Sequence, residues 1–497
     1  GEPGRAVRVT MTALAAARDL YLISYGRYRA FMERHVGSPS ADFSLSRARE
    51  YLERAEAALR GLRYSEAYAY ALVARAYAYK AYLSDVMPLV NDAARSMLYM
   101  FPLVAFAAFF IEKIFLHREG VWRVVAMTAV AAALIWLFSL IHPAFAVVSN
   151  LALGLMGSLI TIVLVVTLIM LGSESEALRS TIERRLLGVH RSEVSRIDTA
   201  VTAFSMGSEY IRRRPLRTAL MLATIIAMAT ALTSFTSLMP TRVTLPVAVH
   251  GYRASLDEIL IKGGRGVPPA TLSGSLVNVV SVLVGGGYEV LPRAWVYPPV
   301  DRALQQVAFR VTSARGNGTV SAIVGVTASE YRLLLSNFTA GAGILADDGN
   351  YAVISRALAR NLSVGLGDTI YVLGQEFVVT GIIESPEAID ALREADGYSP
   401  MPADPMFFQT LAKDIAVSPQ AGATPPNLGA SRVIIVPYRA ALRLSGYVAS
   451  IAVVPRGQAP FDRLFDTVRE LAYVLDVPVW FSSGGRPFVA STFTTIA

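Results

Sequence analysis

The chain has 497 residues, is 54% hydrophobic and only 17% charged, and has a mean hydropathy of +0.45. A soluble domain carries about 25% charged residues, so this composition argues against a wholly soluble cytosolic protein and excludes wholesale disorder. There is no Cys, which rules out disulfides, Cys-ligated zinc and Cys nucleophiles; the net charge of +8 is carried almost entirely by Arg, and none of Lys80, Lys113, Lys262 and Lys413 follows a Gly, so the chain holds no Walker A loop.

Residues 1–95 read as helices. Leu45, Ala48, Leu52, Ala55, Leu59 and Leu62 keep three-to-four spacing with Arg and Glu between them. Gly61 breaks that pattern, and a second helix is expected from near Ser65, with Ala67, Ala71, Ala74 and Ala78 among tyrosines. The stretch from Leu59 to Ala67 resembles the turn of one tetratricopeptide-type hairpin. A single hairpin is no solenoid, so a helical hairpin or stalk leading to a membrane is the reading.

Three transmembrane helices are expected in 96–172, at about 97–116, 124–141 and 151–171. From Val124 to Ser173 the sequence has no Asp, Glu, Lys or Arg, with a turn marked by His142-Pro143 and Ser149-Asn150. The run from Met97 to Ile111 is short and needs Ile114 to Leu116 to reach across. An interfacial helix there would move 1–95 to the other side. A fourth span is expected at 217–240. In it Ala219, Ala223, Ala227 and Ala231 fall four apart, a small-residue face suited to close helix packing.

The segment 173–216 is a basic linker followed by an amphipathic helix. With Arg217 it carries Arg179, Arg184, Arg185, Arg191, Arg196, Arg212, Arg213 and Arg214. Basic short loops stay cytoplasmic, which places 1–95 and everything after Pro240 outside. The chain begins at Gly1 with no signal peptide, so this topology implies a segment removed upstream. Arg212, Arg213, Arg214 and Arg217 form an elbow at the membrane interface that can meet lipid phosphates or simply set topology. Asn317, Asn337 and Asn361 head N-x-S/T tripeptides, candidate glycosylation acceptors only outside the cytoplasm.

Residues 241–497 read as an α+β extracytoplasmic domain. Strands are expected at 258–262, 307–312, 321–326, 369–373, 376–383, 432–436 and 449–454. Helices are expected at 272–284 and over Phe461–Leu475, whose apolar residues share one face. The Pro-, Ala- and Asp-rich stretch 390–430 is expected to be a long surface excursion.

Two stretches resemble the FtsX-like, or MacB-like, permeases of ATP-binding-cassette (ABC) systems. Gly207-Ser-Glu-Tyr-Ile-Arg-Arg-Arg-Pro-Leu-Arg-Thr-Ala-Leu220 resembles the amphipathic helix, Arg-rich elbow and start of the first permease span. Ala352 to Ile370, with Gly367-Asp368 as the family-type turn, then Gln375 to Ile383, resembles that family's extracytoplasmic core domain. Ile323-Val-Gly-Val-Thr327 fits the same domain. The resemblance covers roughly 204 to 490. It implies one permease span and a MacB-like periplasmic core; with the three spans read from the apolar runs, a membrane protein with about four transmembrane helices is expected. Family members normally carry further spans after the outer domain, which this sequence lacks, and the residues before Phe204 have no counterpart in the resemblance.

No catalytic or metal-binding pattern stands out in the sequence. The five His lie in no HExxH pattern, there is no G-x-S-x-G elbow, and the basic excess is spread, so neither a metal, an enzyme nor nucleic-acid binding is expected. Gly341-Ala-Gly343-Ile-Leu-Ala346 meets the loose dinucleotide pattern without the strand and helix it requires, and Asp347-Asp348-Gly349 reads as a turn. The expectation is a permease component with no cofactor of its own. By resemblance, a cytoplasmic ABC ATPase binds the ATP, a second permease copy completes the transporter, and the outer domain acts in export or mechanotransmission. The alternative is a membrane-anchored outer binding or scaffold protein with no ATPase.

Overall fold

The computed structural model describes residues 11–34, 36–112, 116, 121–141, 145, 160, 240–263, 271–298, 308–404, 426–457, 459–475 and 477–496. They divide into two compact units, one drawn from 1–50 and 77–239, the other from 51–76 and 240–496. The basic linker 173–216, the Arg212–Arg217 elbow and the Ala219–Ala231 face lie outside the described residues. So do the spans at 151–171 and 217–240, residues 160 and 240 aside.

In the first part of the chain the helices are α1 (Thr12–Met32), α2 (Pro39–Arg60), α3 (Tyr64–Lys80), α4 (Met87–Ile111) and α5 (Val121–Ile141), with a π turn at Ala81–Val86. Residues Leu45, Ala48, Leu52 and Ala55 of α2 are buried as their spacing predicts. Leu62 is exposed, because α2 ends at Arg60 and Leu62 falls in the turn. Ala67, Ala71, Ala74 and Ala78 of α3 are fully buried. Tyr28, Ala41, Leu45, Ala81 and Val86 form one core, pinned where the Tyr28 hydroxyl donates to the Ser38 carbonyl at 3.1 Å. Val104 and Ala108 of α4 pack on Met127, Ala131 and Ile135 of α5. Helix α4 begins at Met87, well before the apolar run at Met97. Among the described residues, no helix is long and apolar enough to cross a membrane.

The described residues from Pro240 onward form one sheet of β1 (Pro240–Ala248), β2 (Ile259–Lys262), β3 (Tyr288–Val296), β4 (Phe309–Thr312), β5 (Asn317–Val320), β6 (Ala322–Val326), β7 (Thr339–Gly341), β8 (Tyr351–Ser355), β9 (Thr369–Val372), β10 (Gln375–Ile383), β11 (Val433–Pro437), β12 (Tyr447–Pro455), β13 (Val479–Ser483) and β14 (Arg486–Ile496). The order across the sheet is β1-β14-β13-β2-β12-β3-β6-β11-β8-β10-β9-β4-β5, with β7 also on β10. Helices follow as α6 (Ser275–Val284), α7 (Ala328–Glu330), α8 (Arg356–Leu362), α9 (Pro386–Ala391), α10 (Tyr438–Arg443) and α11 (Phe461–Leu475).

Central strands are buried on both faces, so they read as continuous apolar runs such as Ile-Leu-Ile in β2. The period of two sorts them. Ile259 and Ile261 of β2 face α6 and α11, with Val280, Leu464, Val468 and Leu471. Leu260 faces the other way, onto Leu291 and Ala395. Helix α11 buries Leu464, Val468, Leu471 and Val474, the face its sequence predicts. Its Phe461 and Phe465 join Phe481 and Phe488, whose ring centroids lie 5.1 Å apart.

The seven strands expected from sequence are β2, β4, β6, β9, β10, β11 and β12, each within a residue or two of its predicted ends. Strands β1, β3, β5, β7, β8, β13 and β14 were not among them. Pro292 and Arg293 interrupt β3 as breakers would, yet both are in register with β12, beside a register shift between Val448 and Ser450.

One expectation is overturned. The described part of 390–430 is no surface excursion: Glu394, Ala395, Asp396, Met401, Ala403, Leu428 and Ala430 are buried. Asp404 N–H donates to the Pro426 carbonyl at 2.8 Å and Leu428 N–H to the Pro402 carbonyl at 2.7 Å. Its acids are drawn inward by cations on β2 and β3, which a composition rule does not register.

Candidate functional site

Lys262 closes β2 on the side of the sheet away from α6 and α11, and Arg293 lies on β3 on that same side. Lys262 Nζ meets Glu394 Oε2 at 2.8 Å and Asp396 Oδ2 at 3.0 Å. Arg293 Nη1 meets the other oxygen of Glu394, Oε1, at 2.7 Å. Arg293 Nε donates to Glu330 Oε1 at 2.8 Å, and its Nη2 bonds the same oxygen. Glu394 thus bridges two cations with one carboxylate. Glu258 lies beside it, accepting from the Ala395 N–H at 3.0 Å.

Every one of these six side chains is buried. Four acids face two bases, and an unpaired buried charge is costly, so protons must make up the difference. Burial, reinforced by the Glu394 charge, pushes Glu258 up to about 8. Burial also raises Glu330, with Arg293 opposing it, and leaves its Oε2 without a partner among the described residues. Burial acts to raise Glu394 too, but Arg293 and Lys262 overcome it and hold the acid at about 2. Burial works against the Arg293 charge, and Glu330 and Glu394 more than restore it. Among the described residues the cluster is enclosed. It ties β2, β3, α7 and the 394–396 segment into one block and offers no surface for a substrate.

The sites predicted from sequence fall elsewhere. Gly367 sits at φ +90, a conformation L side chains rarely adopt. Its N–H donates to the Val379 carbonyl at 2.8 Å, Val379 N–H returns a bond to the Asp368 carbonyl, and Asp368 Oδ2 accepts from the Gly365 N–H. The turn is thereby stitched to β10. Asn317, Asn337 and Asn361 are all exposed, on β5, on the short turn after α7, and on α8. Asn361 lies against the Gly316–Gly318 stretch that carries Asn317. Asp347 Oδ1 accepts from the Ala328 N–H at 2.8 Å, and Asp348 pairs with Arg443, which lowers its pKa through that hydrogen bond. No helix follows Gly343 in 344–350.

An open groove of about 430 Å³ lies beside that turn, lined among others by Arg315, Arg356, Arg360, Gly365, Asp368 and Glu384. Arg356 is paired with Glu384. Neither the buried cluster nor this groove was anticipated. A faint signal existed for each: Lys262 is a rare lysine ending an apolar strand, and Arg356 and Arg360 are spaced to share a helix face.

The chain's edge strand completes the picture. β1 pairs with β14 from Pro240↔Ile496 to Ala248↔Phe488 without a register break. Thr244 and Thr492 hydroxyls meet across it at 3.2 Å. The first and last strands of the outer unit therefore form one ribbon, and Phe488 at its inner end stacks on the core.

Comparison with known families and structures adds an independent observation. The family profile of the MacB-like periplasmic core domain matches residues 218–471, just over half of the chain. Among solved structures, the extracellular domain of the noncanonic ABC-type transporter YknZ from Gram-positive bacteria aligns at 13% identity, covering 48% of this chain and 98% of that one, with a TM-score of 0.25. No curated protein matches. The outer α+β unit and the profile over 218–471 together place the chain in the FtsX/MacB-like family of ABC transporter components.

Proposed function

We infer that this chain is the permease component of an FtsX/MacB-like ABC transporter. A separate cytoplasmic ATPase binds and hydrolyses ATP, and the chain carries the resulting movement to its outer domain, in export or mechanotransmission. On this reading it is a multi-pass protein of the cell membrane, with 241–497 outside, its Arg212–Arg217 elbow at the lipid interface and a second permease copy beside it.

The observation that carries the reading is the β1–β14 ribbon. Its root, Pro240, follows the charge-free run from Thr218, so a displaced helix there would pull on a strand hydrogen-bonded along its length to β14. Paired strands transmit displacement; a flexible linker would absorb it. The buried Lys262–Glu394–Arg293 cluster supports the same reading, because it stiffens the body the ribbon moves. Chemistry is assigned to the partner, and this chain supplies the lever.

The test is isolation of the tagged full-length protein from its native membrane in mild detergent. A P-loop ATPase recovered in near-equal amount, with ATP hydrolysis that follows the complex, is the expected outcome. Recovery of the chain alone, with no hydrolysis, would instead favour the anchored binding or scaffold protein.

A further inference from the structure

We propose that the groove beside α8 binds a phosphoryl group through Arg315 and Arg360, with Arg356 held in place by Glu384. The groove is built, not incidental. Arg315 sits in the Ser313–Gly316 turn between β4 and β5, and that turn is hooked onto the end of α8. Ser313 Oγ donates to the Leu362 carbonyl at 2.6 Å, and the Gly316 N–H donates to Ser313 Oγ at 3.0 Å. Gly316 lies so close to the helix that a Cβ there would sit 2.4 Å from the Asn361 carbonyl oxygen. The turn thus holds Arg315 against α8, where Arg356 and Arg360 share one face a helical turn apart.

Like charges held together on a fixed frame favour an anion between them, even where water screens them. Glu384 answers Arg356, and Asp368 Oδ2 is engaged by the Gly365 N–H. Among the described residues, the side chains of Arg315 and Arg360 make no ion pair or hydrogen bond. The five named charged residues leave one positive charge in excess. A guanidinium offers planar paired donors and no acceptor, a match for a group with several equivalent oxygens on one centre. The volume of about 430 Å³ falls within the ~300–1,000 Å³ of small-molecule sites and admits a phosphoryl group with a substituent. The same chemistry is carried by a lipid head group or by a soluble phosphate. The inference needs no ATPase partner, so its failure and the failure of the transporter reading are separate results.

The experiment places the full chain in phosphatidylcholine nanodiscs at low ionic strength. It titrates inorganic phosphate and, separately, phosphatidylglycerol vesicles by calorimetry, with phosphatidylcholine vesicles as blank. Saturable binding of at least one probe is expected, weakened tenfold or more in the Arg315→Gln/Arg360→Gln double variant. Arg360→Lys, which keeps charge and loses the fork, is expected to weaken it less. Arg332→Gln, an exposed arginine outside the groove, is expected to leave it within twofold, with unchanged melting in all variants. Phosphate binding without vesicle binding identifies a soluble ligand; vesicle binding that phosphate competes away identifies a lipid head group. No binding of either probe, an unaffected double variant, or equal loss in Arg332→Gln would overturn the assignment.

Discussion

The interior cluster and the surface groove use the same residue types to opposite ends. At Lys262, Arg293 and Glu394 the cations are buried and both are engaged by carboxylates. At Arg315, Arg356 and Arg360 the cations line an open groove, and one of them is paired. Burial explains the difference. A desolvated charge must find a partner or lose its charge, while water screens an exposed one at little cost. Arginines at rest in solvent remain available to a ligand, whereas those in the interior are committed to the fold.

The contrast can be broken most forcefully at its centre. Arg293→Met strands Glu330 in the interior and leaves Glu394 to Lys262 alone, and a loss of ~3–5 kcal/mol is expected in chemical denaturation. If the loss were as small as that of a surface pair, the interior cluster would not be the clamp described.

A finer test separates the acids by pH. Glu258 is raised from 4.5 to about 8, so the folded protein holds this proton more tightly than the unfolded chain. Its contribution is whole below pH 4.5 and is lost as pH rises through about 8. Glu394, held at about 2, runs the other way: its contribution is whole above pH 4.5 and is lost as pH falls through about 2. Glu258→Gln is therefore expected to match the wild type near pH 5 and to be the more stable of the two near pH 9. Melting temperatures across pH read this directly, and parallel curves for the two proteins would contradict it.

At the groove, Gly316→Ala must push the turn away from α8. A loss of ~1–2 kcal/mol is expected by thermal melting, with weaker phosphate binding alongside. The smallest effect belongs to Arg356→Gln. Its pair with Glu384 is 52% and 35% exposed, so the stability change is expected at ~0.2–1 kcal/mol in denaturation curves and fades with added salt. A loss on the scale of Arg293→Met would erase the distinction between the two regions.

Much of the outer unit was legible because its strands are β-branched runs bounded by turns. Strands β6 and β11, buried on both faces, and α11, with Leu464, Val468 and Leu471 on one face, announce themselves. What escaped depended on partners distant in sequence. Pro292 and Arg293 interrupt the apolar run of β3, and Arg293 fits its interior only because Glu330 and Glu394 are brought to it. The stretch after Asp390 reads as surface until Lys262 draws Glu394 and Asp396 inward. Strand β1 is hidden at the end of an apolar run, and only its pairing with β14 defines it. The Gly367-Asp368 turn was visible because its backbone demand is local. The groove beside it was not, since it also needs the hairpin carrying Arg315.

The most direct test of the lever is hydrogen exchange on the complex isolated from its native membrane, compared with ATP and with ADP. The account expects nucleotide-dependent exchange in the ribbon, 240–248 and 486–496, while 322–326 and 433–437 at the centre of the sheet stay equally protected. A ribbon indifferent to nucleotide, or change spread evenly through the central strands, would contradict it.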